Sequence, residues 1–300
     1  MTPLHRLVRA FRRIRRRYGF VDHAIRAGLR YDEVDAGRLA AAVTYYAFFA
    51  AFGLAVLGLA VLGVLVSGNH LVLDAVSRYL AENLPTLQVD AVSRASGVAG
   101  LIGLGALLYA GLRWVDVLRT SVRAIWGLDE HPGNFVVRRL VDLLVLIGLG
   151  LLLAISIGIA LVVGQGVEWL VVDAARQHGG PGRWVVSAVA FLLGLTVNGF
   201  LGAAVLAGLP RLRIPLRRLL PAALVIAAGL EALKTVGKLY IERTASNPAY
   251  QVVGGAVGLL LFLNLFNQLL LYATALVATS GHGTAVDLAC RPPTEVSELS

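Results

Sequence analysis

The sequence predicts an all-α integral membrane protein: a bundle of six transmembrane helices preceded by an N-terminal amphipathic helix lying in the membrane interface. Three observations lead there. Hydrophobic residues make up 57% of the chain and charged ones 15%, against about a quarter charged in a typical soluble domain. The chain therefore lacks the polar surface needed to coat a water-soluble globule. Its apolar residues gather into runs of roughly 20, the length a helix needs to cross a hydrocarbon core of about 30 Å. Charge is also sorted, with arginine crowding the segments on one side of those runs.

The chain divides into a basic arm over 1–38, a six-span region over 39–280 and a tail over 281–300 that is predicted to be disordered. Span one falls in Leu39–Ser67, which has no charged residue. Span two is Ala95–Leu112, extended into a longer helix at both ends. Span three runs over Leu143–Val167 and span four over Trp184–Leu209. Span five, about Leu219–Tyr240, is interrupted by Glu231, Lys234 and Lys238, and span six is Val252–Thr279.

Orientation follows from the basic residues, because cytoplasmic flanks collect Lys and Arg. With the N-terminus inside, 20 of the 27 Lys and Arg residues fall on the cytoplasmic side and 7 outside. Both termini are predicted to be cytoplasmic, in the cytoplasmic (plasma) membrane of a bacterium. The abundance of arginine, alanine and glycine fits a GC-rich genome. The first apolar run starts only after Arg38, so it reads as a retained anchor rather than a cleaved signal. Cys290 is the single cysteine and rules out an intrachain disulfide.

The arm contains "RAFRRIRRRYGF" (Arg9–Phe20). Leu4, Leu7, Phe11, Ile14 and Tyr18 recur at steps of three and four and form one apolar stripe. Arg12, Arg13, Arg15, Arg16 and Arg17 occupy the other faces. A helix of this kind lies apolar side down with its arginines on anionic lipid head groups. A nucleic-acid partner would need a solvent-facing basic patch with stacking aromatics or a binding fold, so membrane lipid is the expected partner and nucleic acid is not. A second surface helix is expected where Leu73, Val76, Leu80 and Leu84 share a face before Pro85.

Polar groups inside the spans are the candidate site, because charge near the bilayer centre is costly and tends to face the bundle interior. Glu231, Lys234, Lys238 and Glu242 fall on one face of span five and can pair in alternating sign. Asn264, Asn267, Gln268 and Tyr272 share a face of span six. Asn198 of span four sits between Gly194 and Gly202, a ladder that lets a second helix approach closely. These groups can be interhelical glue, with lysines snorkelling to the head groups, or they can line a hydrated path for a polar or amphipathic substrate. The small-residue ladders Gly150–Ala154–Gly158 and Gly254–Gly258 read as contacts within the bundle rather than a homodimer seam. Of Tyr45 and Tyr46, one is expected in the interfacial aromatic belt and the other turned inward.

Catalytic patterns are missing from the sequence. The six histidines are scattered, and Asp129-Glu130-His131 precedes the turn Pro132-Gly133, which reads as a solvated loop rather than a metal site. No phosphate loop, nucleophile elbow or zinc spacing occurs. The chain is read as a non-enzyme with no metal and no cofactor.

Four stretches in order resemble the YihY/BrkB family of bacterial inner-membrane proteins: "LAAAVTYYAFF" opening span one, "SVRAIWGLDEHPGNFVVRRLVDLL" entering span three, "LPRLRIPLRRLLPAAL" entering span five and "AYQVVGGAVGLLLFLNLFNQLLL" in span six. The resemblance covers about Leu39–Thr279. It departs from the family pattern at Ala50 and Gly53, where Ser and Pro are usual, and at Ala222, where Gly is common. Tyr272, Ala273 and Thr274 stand where a Gly-Ala-Glu pattern is usual, so no role tied to that carboxylate transfers. The resemblance implies the six-span architecture. It also brings the old label "ribonuclease BN", widely regarded as a misassignment, and envelope-related roles attributed to some members.

The function expected is translocation or export of an amphipathic envelope component or a small solute. The alternative is a non-transporting membrane scaffold for envelope machinery, and ribonuclease activity is the least supported reading. With no nucleotide-binding segment, energy would come from an ion gradient, the membrane potential or a partner. Substrate, direction and homo-oligomeric state stay open.

Overall fold

The computed structural model describes residues 19–68, 98–148, 150–151, 181–244, 248–281 and 285–288. Its elements are α1 (Gly19–Glu33), α2 (Ala36–Gly68), α3 (Val98–Trp126), α4 (from residue 135), α5 (Pro181–Gly208), β1 (Leu212–Arg213), α6 (Leu216–Thr244), α7 (Pro248–Ala278) and β2 (Val286–Asp287). Four helical segments are long and apolar enough to cross a membrane: Ala36–Gly58, Gly100–Trp126, Leu216–Tyr240 and Gly254–Ala278. They correspond to expected spans one, two, five and six, the fifth despite its charges. Gly194–Gly208 of α5 is a shorter apolar stretch within expected span four. Most of expected span three, the helix expected around Leu73–Leu84 and the arm's Arg12, Arg13, Arg15, Arg16 and Arg17 lie outside the described residues.

The surface is that of a protein immersed in lipid. Leu101, Phe200 and Leu216 are 72%, 73% and 76% exposed, and many more large apolar side chains accompany them, which a monomer in water avoids.

The chain forms two compact units, Ala42–Val117 and Met1–Ala41 with Leu118–Ser300. In the first, α2 and α3 touch backbone to backbone. A Cβ on Gly53 would lie 2.6 Å from the Leu107 amide nitrogen, and one on Gly103 2.9 Å from that of Leu57. Small residues permit this approach, and dispersion rewards it where lipid gives no hydrophobic drive. Gly53, a departure from the family pattern, is thus a seam residue. Phe48–Phe52 and Tyr45–Phe49, one turn apart, make edge-to-face pairs at 5.0 Å.

In the second unit α6 packs between α5 and α7. Gly202 faces Ile226, Gly229 faces Leu269 and Gly258 faces the Tyr240 ring, so the Gly258 ladder does serve contacts within the chain. Tyr240 also donates to the Gly254 carbonyl at 3.0 Å. The core holds Leu206, Ile226, Leu270, Leu271 and Val277, each at most 2% exposed.

One segment adds to expectation and one differs from it. The second half of the basic arm is helix α1, and it is packed: Ala27 is fully buried, His23 Nε2 lies 2.8 Å from the Leu276 carbonyl, and Tyr272 donates to the Ala24 carbonyl at 3.1 Å. Tyr31 meets Tyr272 edge-on, and burial with the Asp32 carboxylate beside it pushes its hydroxyl pKa up. The tail is ordered over 285–288. Val286–Asp287 pairs antiparallel with Leu212–Arg213, and Leu288 donates to the Arg211 carbonyl at 3.0 Å. A two-residue strand has no periodicity to betray it, so its order comes from its partner.

Candidate functional site

The polar groups of spans four and five meet. α5 and α6 approach along the Gly194–Gly202 ladder, which brings Asn198 opposite Glu231. Asn198 Nδ2 donates to Glu231 Oε1 at 2.7 Å, and Lys234 Nζ donates to the same oxygen at 2.9 Å. A Cβ on Gly194 would lie 3.6 Å from that oxygen, so glycine leaves room for the carboxylate between the helices. One carboxylate oxygen thus holds a neutral amide from the neighbouring helix and an ammonium from its own, both charge-assisted bonds. The Glu231 and Lys234 side chains are 24% and 47% exposed, so the group lies at the bundle surface or an opening in it rather than sealed in the core. Lys238, one turn further along α6, is exposed.

Asn264 and Gln268 of span six do not join this group. Gln268 Nε2 donates to Asn264 Oδ1 at 2.6 Å, an i,i+4 bond along α7. Asn267 is fully buried, 1% exposed. The expected polar set therefore divides into an α5–α6 cluster and a pair closed on itself within α7.

A second set of polar contacts surrounds the ends of α3 and α7, where the last carbonyls of a helix have no partner within it. α3 ends in a Schellman turn: Gly127, at φ +68°, donates to Ala124 O and Leu128 donates to Arg123 O, each at 3.0 Å. Arg30 reaches from α1 to the Ile125 carbonyl at 2.8 Å. Arg218 reaches from α6 to the Val277 and Ala278 carbonyls at 2.8 and 3.1 Å, with its guanidinium over the Trp126 ring. Arg123, 1% exposed, grips Asp287 with both terminal nitrogens at 3.2 and 2.7 Å and donates to the Pro210 carbonyl. Arg119 pairs with Asp142, their side chains 5% and 1% exposed.

Counting flanking arginines does not say what these residues do. Their partners are mostly backbone carbonyls distant in sequence. One signal was available: Asp142 is a lone carboxylate in the apolar run "LVDLLVLIG", and an isolated charge in such a run calls for a buried partner.

His131, Asp129 and Glu130 stand exposed in the turn before α4, with the His131 amide donating to Asp129 Oδ1. Among the described residues no three His, Cys, Asp or Glu side chains converge as metal ligands would.

A family model described as Virulence factor BrkB matches residues 27–293. A protein of Dickeya dadantii, described as uncharacterized, is 27% identical over 292 residues, covering 89% of this chain and 85% of its own. "Inner membrane protein YhjD" of Escherichia coli is 24% identical over 276 residues, covering 87% and 81%. No solved structure matches the chain.

Proposed function

Because this chain is a membrane protein belonging to the Virulence factor BrkB family, we propose that it translocates an amphipathic envelope component or small solute through a route beside Glu231. It does so in the cytoplasmic membrane, crossing it six times with both termini inside. The name of the Escherichia coli relative, an inner membrane protein, supports that location. The observation behind the route is the shared Glu231 oxygen: an ionisable carboxylate within a membrane-crossing helix, held by Asn198 of a second helix and by Lys234. A charge at such depth costs about 2.5–3.5 kcal/mol on insertion scales, an expense that structural glue does not need. Glu231, Lys234 and Asn198 bind or relay the polar part of the substrate, with Lys238 continuing the path. Asn264 and Gln268 add a separate polar pair on α7, while Asn267, 1% exposed, is packed in the core. Anionic lipids hold the basic arm. The reading gives the chain no catalytic activity and no nucleic-acid partner; metal-dependent RNA cleavage by purified protein, lost on mutation of this chain, would overturn that part.

The test is translocation in proteoliposomes, with a head-group-labelled phospholipid and a small polar dye as probes. Glu231→Gln and Lys234→Met are expected to slow the transported probe about tenfold, equivalent to about 1.4 kcal/mol of barrier. If both variants and Asn264→Leu match wild type, the route is wrong. A second reading, a non-transporting scaffold, draws on the Asn264–Gln268 pair, which satisfies itself along its own helix, so that bond sets no donor or acceptor aside for a substrate. It predicts that changes inside the bundle are tolerated and that changes at cytoplasmic or periplasmic surfaces are not.

A further inference from the structure

The unit formed by α2 and α3 carries a groove of about 420 Å³, within the roughly 300–1,000 Å³ typical of ligand sites. Its walls are Tyr45, Phe49 and Phe52 from α2 and Ile102 and Tyr109 from α3, with Ala106 in the trough. The floor is low because Gly103, Ala106 and Ala110 recur at three- and four-residue steps and carry almost no side chain. Tyr45, Phe49, Ile102 and Tyr109 are 58%, 47%, 65% and 71% exposed. An apolar trough with such walls accepts a hydrocarbon chain.

One turn beyond Ala110 stands Arg113, the first charged residue after the uncharged run Ala95–Leu112. Among the described residues its polar contacts are long: Nη2 to the Tyr46 hydroxyl at 3.4 Å and Nη1 to Asp116 Oδ2 at 3.7 Å. The guanidinium also lies over the Tyr46 ring at 5.4 Å. Arg113 is 40% exposed while Asp116 is 12% exposed, so the carboxylate faces inward and takes at most one of five N–H donors. A guanidinium directly after the uncharged run Ala95–Leu112, with most donors unused, matches the fork geometry of a phosphate. Tyr46, whose oxygen accepts from Arg113, keeps its own proton to donate. Aromatics beside a basic residue also mark head-group level.

We propose that this groove holds one acyl chain of a bound anionic phospholipid, with Arg113 and the Tyr46 hydroxyl taking its phosphate. Charge and shape together select the occupant: the groove accepts the tail and the guanidinium adds a preference for net negative head groups. The proposal rests on the membrane reading and not on translocation. Lipid retention is read without a transport assay, so its failure leaves the Glu231 route standing.

The experiment is native mass spectrometry of the full-length protein, released from detergent with equal mole fractions of phosphatidylglycerol and phosphatidylcholine. Wild type is expected to retain phosphatidylglycerol in preference. Arg113→Gln is expected to cut that preference roughly fivefold, the worth of one basic residue at an anionic surface. Arg113→Lys keeps most of it. Ala106→Trp fills the trough and lowers retention of both lipids alike. If Arg113→Gln does not fold, Tyr46→Phe, which keeps the ring and loses the donor, is expected to lower the preference and carries the test with Ala106→Trp. Wild-type retention in the variants that fold would overturn the proposal, and so would displacement of the lipid by millimolar inorganic phosphate.

Discussion

Glu231 is held by one donor from each side, and the two donors are not equivalent. Lys234 sits one turn away on the same helix, so the pair forms wherever α6 forms and adds little to specificity. Asn198 comes from α5, so its bond exists only when the two helices are correctly docked. A double-mutant cycle on Asn198→Leu and Glu231→Gln, read by unfolding in detergent, should give a coupling of roughly 1 kcal/mol, the range of interhelical polar bonds in membranes. A coupling near zero would mean that the amide does not hold the carboxylate in solution. The spacing of Glu231 and Lys234 is readable in the sequence, because a three-residue step on a helix places side chains together. The meeting with Asn198 is not, since 33 residues separate the partners and nothing local encodes helix docking. The same blindness grouped Asn264 and Gln268 with the span-five charges, whereas an i,i+4 amide pair can satisfy itself along its own helix.

Among the elements, glycine position separates seam from surface. Gly53 would put a Cβ 2.6 Å from a backbone nitrogen, which cannot swing aside as a side-chain end can, while Gly105 has nothing within 4 Å. Gly53→Ala should therefore cost about 1–3 kcal/mol as an overpacked contact. Gly105→Ala should be neutral or stabilising, because alanine favours helix. Unfolding midpoints of the two variants check this, and equal effects would contradict the packing described. Long apolar runs made α2, α3, α6 and α7 legible, since a helix crossing lipid is written in length and hydropathy. α1 was not legible as a packed element: its composition is mixed, and its docking on α7 depends on His23, Ala27 and Tyr31 meeting one partner face. The order of 285–288 was hidden for a related reason, because Asp287 is fixed by Arg123, 164 residues away.

For the whole molecule, the arginine-rich end carries two roles at once. On the proposed topology, positive charge there would orient the chain during insertion, and the same side chains close helix ends and bind buried carboxylates. Arg119 and Asp142 are both nearly inaccessible, and removing one partner of such a pair leaves an uncompensated buried charge. Asp142→Ala should destabilise by about 3–5 kcal/mol, and pairing it with Arg119→Met should recover much of the loss. Thermal unfolding of the single and double variants decides it. A fully additive double variant would show that the two side chains act separately.

The translocation account stands or falls on whether the Glu231 cluster meets water. Single cysteines at Asn198 and Lys234, in a chain whose Cys290 is replaced by serine, can be probed with a charged, membrane-impermeant thiol reagent in oriented vesicles. The account predicts that both react from at least one side and that Leu101→Cys, on the lipid-facing surface, does not. If Asn198→Cys and Lys234→Cys stay unreactive from both sides in folded protein, the cluster is dry and no polar substrate passes it.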